Sequence, residues 1–456
     1  MISRPLDPGE AFFFLSDHVS CMNFVVLAER TGTLVPKRIG QALNTVQQQH
    51  ALLQTQISWT EGNGLRFEPA PGAVIELLCH QSSAERWPGL IEQQLSSPFA
   101  PGTAPLMRCL YIEMAAADDL ESAPSCALAL TFHHSIADGR SGTEILRHLL
   151  SLIASDSQNH NHSATDIATP ATATASSEEA THLPSMAELM PAHYRWAEQP
   201  EAAKQLRTTL INDYRRHGAL PVIPWLATEA TQREPRLIRL QLSADASQHL
   251  LAQARAHGTT VHGVLCAAQL MAQYRLQQTD QSAAFFLSCP VDLRPHLQGT
   301  PPTSPTGFFT SLISGTFQVS PDTDLWALAR EIITQTRTQI ARGEGHLLYH
   351  LYGLDGSPVP PQAFAPFRKK ALASLPNTMI SNIGTVNPVA ADPAVRAISF
   401  ALCPMPYQTL FTAASSYNGC LTLNVGYDAA RITPATAQAL VLVIQETLET
   451  MGEKAV

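Results

Sequence analysis

The chain has 456 residues, 45% of them hydrophobic and 15% charged, which exceeds one ordinary domain and supplies ample apolar material for a large core. A formal net charge of -9, with no basic run longer than Arg368-Lys369-Lys370, excludes a nucleic-acid backbone as the main partner. No run of about 18 apolar residues occurs and the N-terminus lacks a basic start followed by a long apolar stretch, so no transmembrane segment is expected and a reducing cytoplasm is the expected location.

In chain order, RPLDPGEAFFF comes first and carries the aromatic cluster Phe12-Phe13-Phe14, read as core. CMNFVVLA, LMRCLYIEM and CALALTF are apolar runs of strand length. Between them, Ile39, Leu43, Val46 and Leu53 recur near a period of 3.6, as do Trp87, Leu90, Ile91 and Leu95, which predicts helices laid on a sheet. At TFHHSIADGRSG the strand ends. Ser141 to Glu144 has the S-x-x-E spacing of a capping box ahead of Ile145, Leu149 and Ile153, so a strand-to-helix corner is predicted, with Gly139 giving the turn after Asp138 an unhindered backbone.

From Ser155 to Ser185 bulky apolar residues almost vanish and Ser, Thr, Ala and His dominate, a composition that cannot offset chain entropy by burial. This predicts an N-terminal lobe at 1–154, a flexible crossover at 155–185 and a C-terminal lobe at 186–456. His160, His162 and His182 in the crossover have no cysteine or paired carboxylate beside them and read as solvated linker, not as a metal site. Beyond it, SADASQHLLAQARAHGTTVHGVLCAAQLMAQYRL predicts two helices broken at His257-Gly258, followed by the strands AAFFLSCPVDL and FFTSLISGTFQV, with Phe308-Phe309 read as core. Asn418-Gly419 supplies the two positive-φ positions of a tight hairpin turn. Both halves mix helices and strands, so the predicted fold class is α+β. The eight cysteines form no C-x-x-C pair and sit mostly in apolar runs, which predicts reduced core thiols and no metal site.

His133 and His134 carry the densest chemistry. Adjacent strand residues point in opposite directions, so one histidine is expected to face a pocket and the other to pack. An imidazole titrating near neutrality can take and return a proton, which makes a cleft-facing histidine a candidate general base. No G-x-S-x-G elbow accompanies it, against a covalent hydrolase triad. Asp138 has two readings on residue type alone: partner of a histidine, or partner of an arginine such as Arg294 in CPVDLRPHL that holds the corner in shape.

His133-His134-Ser135-Ile136-Ala137-Asp138-Gly139 resembles the HHxxxDG motif of the superfamily that includes nonribosomal-peptide condensation domains, Pap-type polyketide-associated acyltransferases and wax ester synthases. RPLDPGEAFFF, PVDLRP and SNIGTV are similar to further segments of that family, and the absence of a DFGWG segment separates the chain from the plant BAHD branch and favours the bacterial Pap-like one. The resemblance implies two chloramphenicol acetyltransferase-like lobes set in a V with a tunnel between them. It implies that His134 is the catalytic base facing the tunnel, that His133 is structural, and that Asp138 points away and pairs with Arg294, with Gly139 completing the corner. Ser381 and Asn382 lie where the family brings a strand toward the tunnel, as possible oxyanion or substrate contacts. The implied reaction moves an acyl group from a phosphopantetheine thioester, on an acyl carrier protein or coenzyme A, to an alcohol or amine acceptor, in a monomer with no tightly bound cofactor and no covalent acyl-enzyme. Two alternatives stand beside it: a free-standing condensation enzyme forming an amide, and an inactive condensation-like binding platform. Arg368, Lys369 and Lys370 could meet an acidic carrier protein or the phosphates of coenzyme A, or form a solvated helix face.

Overall fold

The computed structural model describes residues 3–114 except 84, 124–159, 184–217 except 193, 194, 196 and 197, 233–298, and 307–452 except 347, 348, 350 and 375. The first half runs β1 (Arg4–Pro5), α1 (Pro8–Asp17), β2 (Asn23–Thr31), α2 (Pro36–Gln49), β3 (Thr55–Thr60), β4 (Gly64–Pro69), β5 (Glu76–Ser82), α3 (Trp87–Ser96), β6 (Met107–Met114), β7 (Ser125–His133) and α4 (Gly139–Asn159). The second runs α5 (Met186–Leu189), α6 (Pro200–His217), β8 (Pro235–Gln241), α7 (Ala244–Ala256), α8 (Val261–Leu276), β9 (Ala283–Asp292), β10 (Thr310–Val319), α9 (Leu325–Ala341), α10 (Phe364–Leu372), β11 (Asn377–Thr385), β12 (Val395–Leu402), β13 (Gln408–Tyr417), β14 (Cys420–Asp428) and α11 (Pro434–Gly452). No helix among the described residues is long and apolar enough to cross a membrane.

Two mixed sheets organise these elements into two lobes. The first has the order β12-β2-β7-β6-β5 and the second β10-β9-β11-β13-β14-β8, with a small sheet β1-β4-β3 beside the first. β7 lies in the middle of the first sheet and reads as a continuous apolar run because both its faces are covered. Cys126, Leu128, Leu130 and Phe132 pack with Ile39, Leu43 and Val46 of α2 and Ile145 and Leu149 of α4, while Ala127 and Ala129 face Trp87, Ile91 and Leu95 of α3. In the second lobe α8 is buried along nearly its whole length and forms the centre of a separate core with α7, α9, α11 and one face of the six-stranded sheet. Asn418 (φ 49) and Gly419 (φ 83) make the expected hairpin turn between β13 and β14.

Several details differ from the expectations. α4 starts at Gly139, not after Ser141, and runs to Asn159, past the expected lobe boundary at 154. Within the expected crossover at 155–185, residues 160–183 with His160, His162 and His182 lie outside the described residues, and Ser185 caps α5. The partition into 1–154 and 186–456 is crossed by β12, which leaves the second half to pair antiparallel with β2 and complete the first sheet from Val395↔Arg30 to Leu402↔Phe24. It stays tied to its own half, since Ser415 Oγ donates to Ile398 O (3.1 Å) and Asn424 Nδ2 to Phe400 O (2.8 Å). Of the cysteines, Cys79 is exposed and Cys21 and Cys420 are half-buried, because they fall on the β5 edge strand, a loop and a hairpin, where an apolar run does not guarantee cover; the other five are buried, and all eight are free.

Candidate active site

The corner between β7 and α4 is assembled by short backbone contacts. His133, the last residue of β7, is 3% exposed. Its Nδ1 accepts from Ser135 N (3.2 Å), which leaves Nε2 as the protonated nitrogen, 3.8 Å from Asp17 Oδ2. Burial pulls its pKa down, partly countered by Asp17. His134 takes the opposite tautomer: its Nδ1 donates to Ala137 O (2.9 Å), so Nε2 carries the lone pair. The residue is half-buried, its ring stacked on Phe13 at 3.9 Å between centroids and flanked by Phe24 at 4.8 Å and Phe308 at 5.7 Å. Burial lowers its pKa from 6.5 to about 4 against the opposing pull of the Ala137 carbonyl and Asp138, so the imidazole rests in its neutral, basic form at neutral pH.

Phe13 is held in place by the geometry of α1. Asp7 and Glu10 form a reciprocal capping box, Glu10 is paired with Arg4 (2.7 Å), and Ser135 Oγ donates to Glu10 O (2.9 Å), fastening the helix to the corner. The sequence reading treats Phe12-Phe13-Phe14 as core. Phe13 is both core and the surface against which His134 lies, a distinction that composition cannot make.

Asp138 is 1% exposed and points into a different set of partners. Its Oδ1 accepts from Ser141 N (2.9 Å) and Arg294 Nη2 (3.0 Å), and its Oδ2 from Phe309 N (2.9 Å). Burial works against its charge, and Arg294 with these backbone donors outweighs burial, so its carboxyl sits below the usual range. The cap of α4 is therefore the Asp138 carboxylate, and the capping box read at Ser141 is displaced by it. Ser141 is freed for another use: its hydroxyl donates to Gly307 O (2.7 Å) and accepts from Arg294 Nη2 (2.6 Å) and Gly307 N (3.0 Å). Arg294 also donates through Nη1 to Asp292 Oδ1 (2.9 Å) and covers the Phe309 ring, 4.8 Å from its centroid. The sequence marks Ser141 only as a cap and Phe309 only as core, and nothing in it marks Asp292; Asp138, three residues before Ser141, is also a residue type that caps helices.

Glycines at the corner answer close approach. Gly139 has no positive φ, contrary to the expected tight turn; a Cβ there would stand 3.2 Å from Ile383 Cγ2 and 3.5 Å from Phe400 Cε2. At Gly142 a Cβ would stand 2.8 Å from Phe24 Cε2, the ring that flanks His134.

Ser381 and Asn382 occupy opposite faces of β11. Met379 and Ile383 face the core shared with the first half while Ile380 faces the second-lobe core, which puts Ser381 on the shared side and Asn382 on the other. Asn382 Oδ1 accepts from Gly384 N (2.8 Å). Among the described residues neither hydrogen-bonds to His134. On the same open face of the second sheet a cavity of about 1040 Å³ is lined by Phe286, Ser288, Asn377 and Met379, with Arg207, Arg216, Arg342 and Lys370 around it. Tyr352, also on its wall, packs 5.0 Å from Phe12, which packs 5.3 Å from Phe13, so a row of aromatic rings runs from the cavity wall to the His134 ring. Arg368 and Lys369 are exposed on α10 beside Lys370.

Residues 231–403 match the family model described as phthiocerol/phthiodiolone dimycocerosyl transferase C-terminus. The phthiocerol/phthiodiolone dimycocerosyl transferase of Mycobacterium leprae is 27% identical over 249 residues, 52% of this chain and 53% of that protein. The protein of the same name from Mycobacterium ulcerans is 28% identical over 178 residues, 38% of each chain, so the first curated relatives are matched over about half their length or less. Among solved structures, trichothecene 15-O-acetyltransferase from Fusarium sporotrichioides superposes with a TM-score of 0.68 at 15% identity over 98% of this chain and 95% of its own. Polyketide synthase associated protein 5 from Mycobacterium tuberculosis does so with a TM-score of 0.60 at 16% identity over 99% and 98%. At such identities these likenesses establish the fold.

Proposed function

We propose, from the HHxxxDG acyltransferase and condensation fold of this chain and its Pap-type relatives, that it moves an acyl group from a phosphopantetheine thioester to an alcohol. The observation that carries the reading is the tautomer and setting of His134. With Nδ1 committed to Ala137 O, a neutral imidazole offers Nε2 as a base from a half-buried position, while Asp138 is engaged elsewhere and takes no part in proton transfer. Nε2 takes the acceptor hydroxyl proton as the oxygen attacks the thioester carbonyl carbon. The tetrahedral oxyanion, for which Ser381 on the shared face is a side-chain donor candidate, collapses with breakage of the C–S bond, and the imidazolium returns its proton to the thiolate. No bond to the protein forms. The cavity ringed by Arg207, Arg216, Arg342 and Lys370 suits the phosphate and pantetheine of a carrier protein or coenzyme A, which supports a thioester donor.

The test is incubation of the purified chain with acyl-loaded carrier protein or acyl-CoA and panels of alcohols and amines, followed by intact-mass analysis of donor and acceptor. Ester formation is expected, and His134→Ala should lower turnover by about 100- to 10,000-fold with the fold retained. Amide products alone would favour the condensation reading, no turnover with any donor the binding-platform reading, and near-normal turnover of a folded His134→Ala would end the proposed mechanism.

A further inference from the structure

His262 and Cys266 stand one turn apart on α8, and Cys289 meets them from β9. Strand alternation creates the meeting: Phe286 and Ser288 line the cavity, so Leu287 and Cys289 point the other way, into the core that α8 fills. Cys266 Sγ lies 3.7 Å from His262 Nε2 and 3.8 Å from Cys289 Sγ, and the donor atoms of the three residues fall within 4.8 Å of one another. A single tetrahedral Zn²⁺, about 2.3 Å from each thiolate and about 2.0 Å from an imidazole nitrogen, requires edges of roughly 3.8 Å between sulfurs and roughly 3.6 Å between sulfur and nitrogen. The two edges observed match those of such a tetrahedron, and the third lies within 4.8 Å. A disulfide would need the sulfurs at about 2.05 Å, and so a shift of helix against strand or new rotamers.

Charge selects among thiophilic ions. Two thiolates and Zn²⁺ sum to zero, whereas Cu⁺ leaves a net negative charge in a core where Cys266 is 0% and Cys289 3% exposed. His262 is only partly buried, which leaves an approach for the ion and for a water as fourth ligand.

We propose that His262, Cys266 and Cys289 bind one Zn²⁺ ion, with water completing the tetrahedron, at a site in the second-lobe core separate from the His134 corner. Binding releases the two thiol protons to solvent. The ion ties α8 to β9, the strand that ends at Asp292 just before Arg294, and so braces that strand from the side opposite the cavity. His262 Nδ1 is buried with no hydrogen-bond partner among the described residues, so the site lacks the carboxylate or carbonyl that commonly orients a zinc-bound imidazole; affinity should be about 10- to 100-fold below that of a site so supported.

Chelator-treated full-length protein, titrated with Co²⁺ under reducing conditions, tests this independently of acyl transfer. One equivalent should produce the near-ultraviolet thiolate-to-cobalt absorption and visible bands of a tetrahedral ion, both displaced by Zn²⁺, and Cys289→Ser should lose most of the thiolate band. A wild-type spectrum without thiolate-to-cobalt absorption, a band unchanged in folded Cys289→Ser, or two thiols missing from the free-thiol count before reduction, as a disulfide would cause, each overturns the proposal. The wild-type spectrum and thiol count decide it even where the variant does not fold.

Discussion

His133 and His134 are adjacent in sequence and opposite in protonation. Ser135 N donates to one ring and Ala137 O accepts from the other, so a three-residue stretch of backbone sets both tautomers. This has a measurable consequence for pH. In the proposed reaction the base must be neutral, and burial lowers the His134 pKa from 6.5 to about 4, so kcat/KM should stay nearly level from neutrality to about pH 5 and fall below it as the ring takes a proton. The same shift acts on stability. Between 6.5 and about 4 the unfolded chain binds a proton that the folded one refuses, so stability is lost as pH falls through that window. Following rate and circular dichroism together separates the two effects, and a half-loss of rate near pH 6.5 in fully folded protein would contradict the assignment. The histidines themselves were legible in the motif. That Phe13 would stack on one of them was not, because the cluster Phe12-Phe13-Phe14 has the same composition whichever ring faces the corner.

Asp138 and Arg294 join the start of α4 to the end of β9, two elements 156 residues apart. Asp138 caps the helix through Ser141 N and holds the following loop through Phe309 N, so the carboxylate shapes the turn that carries the Ala137 carbonyl and with it the His134 ring. Removing either partner of a buried pair strands the other charge, and Asp138→Ala or Arg294→Ala should cost about 3 to 5 kcal/mol, with activity falling in step. Denaturant unfolding of the two single variants and the double variant should give a coupling of about 0.5 to 3 kcal/mol; additive effects would show that the pair does not hold the corner. Arg294→Lys should not rescue fully, since one ammonium cannot serve Asp138, Ser141 and Asp292 in the planar fork the guanidinium uses. The misread cap has a clear physical origin. Ser141 looked like a cap because capping spacings are local, and it was drawn away by Arg294 and Gly307, which arrive from distant sequence.

The two lobes are interlocked by a strand that the second half gives to the first sheet. β12 completes the first sheet from the second half, Arg30 Nε reaches Asp392 Oδ2 (2.8 Å), Arg147 Nε donates to Asn387 O (2.7 Å), Arg239 pairs with Glu29, and Trp59 Nε1 donates to Val359 O (2.8 Å). Cutting the chain at a protease site introduced within residues 160–183 should therefore leave one particle on size exclusion, with turnover largely kept; separation into two folded halves would refute the interlock. By itself the sequence determined what depends on near neighbours: the 3.6-residue periods of α2 and α3, the strands β7, β9 and β10, the Asn418-Gly419 turn, and the strand-to-helix corner that carries HHxxxDG. These follow from local sterics and from which face of an element is apolar. Only the tertiary structure decided that β12 crosses between sheets, that Asp138 and not Ser141 caps α4, that Ser381 and Asn382 face opposite ways, and that Cys289 meets His262 and Cys266. Each of those is a choice among partners far apart in the chain, made by shape and burial once both lobes are packed, and no local pattern records it.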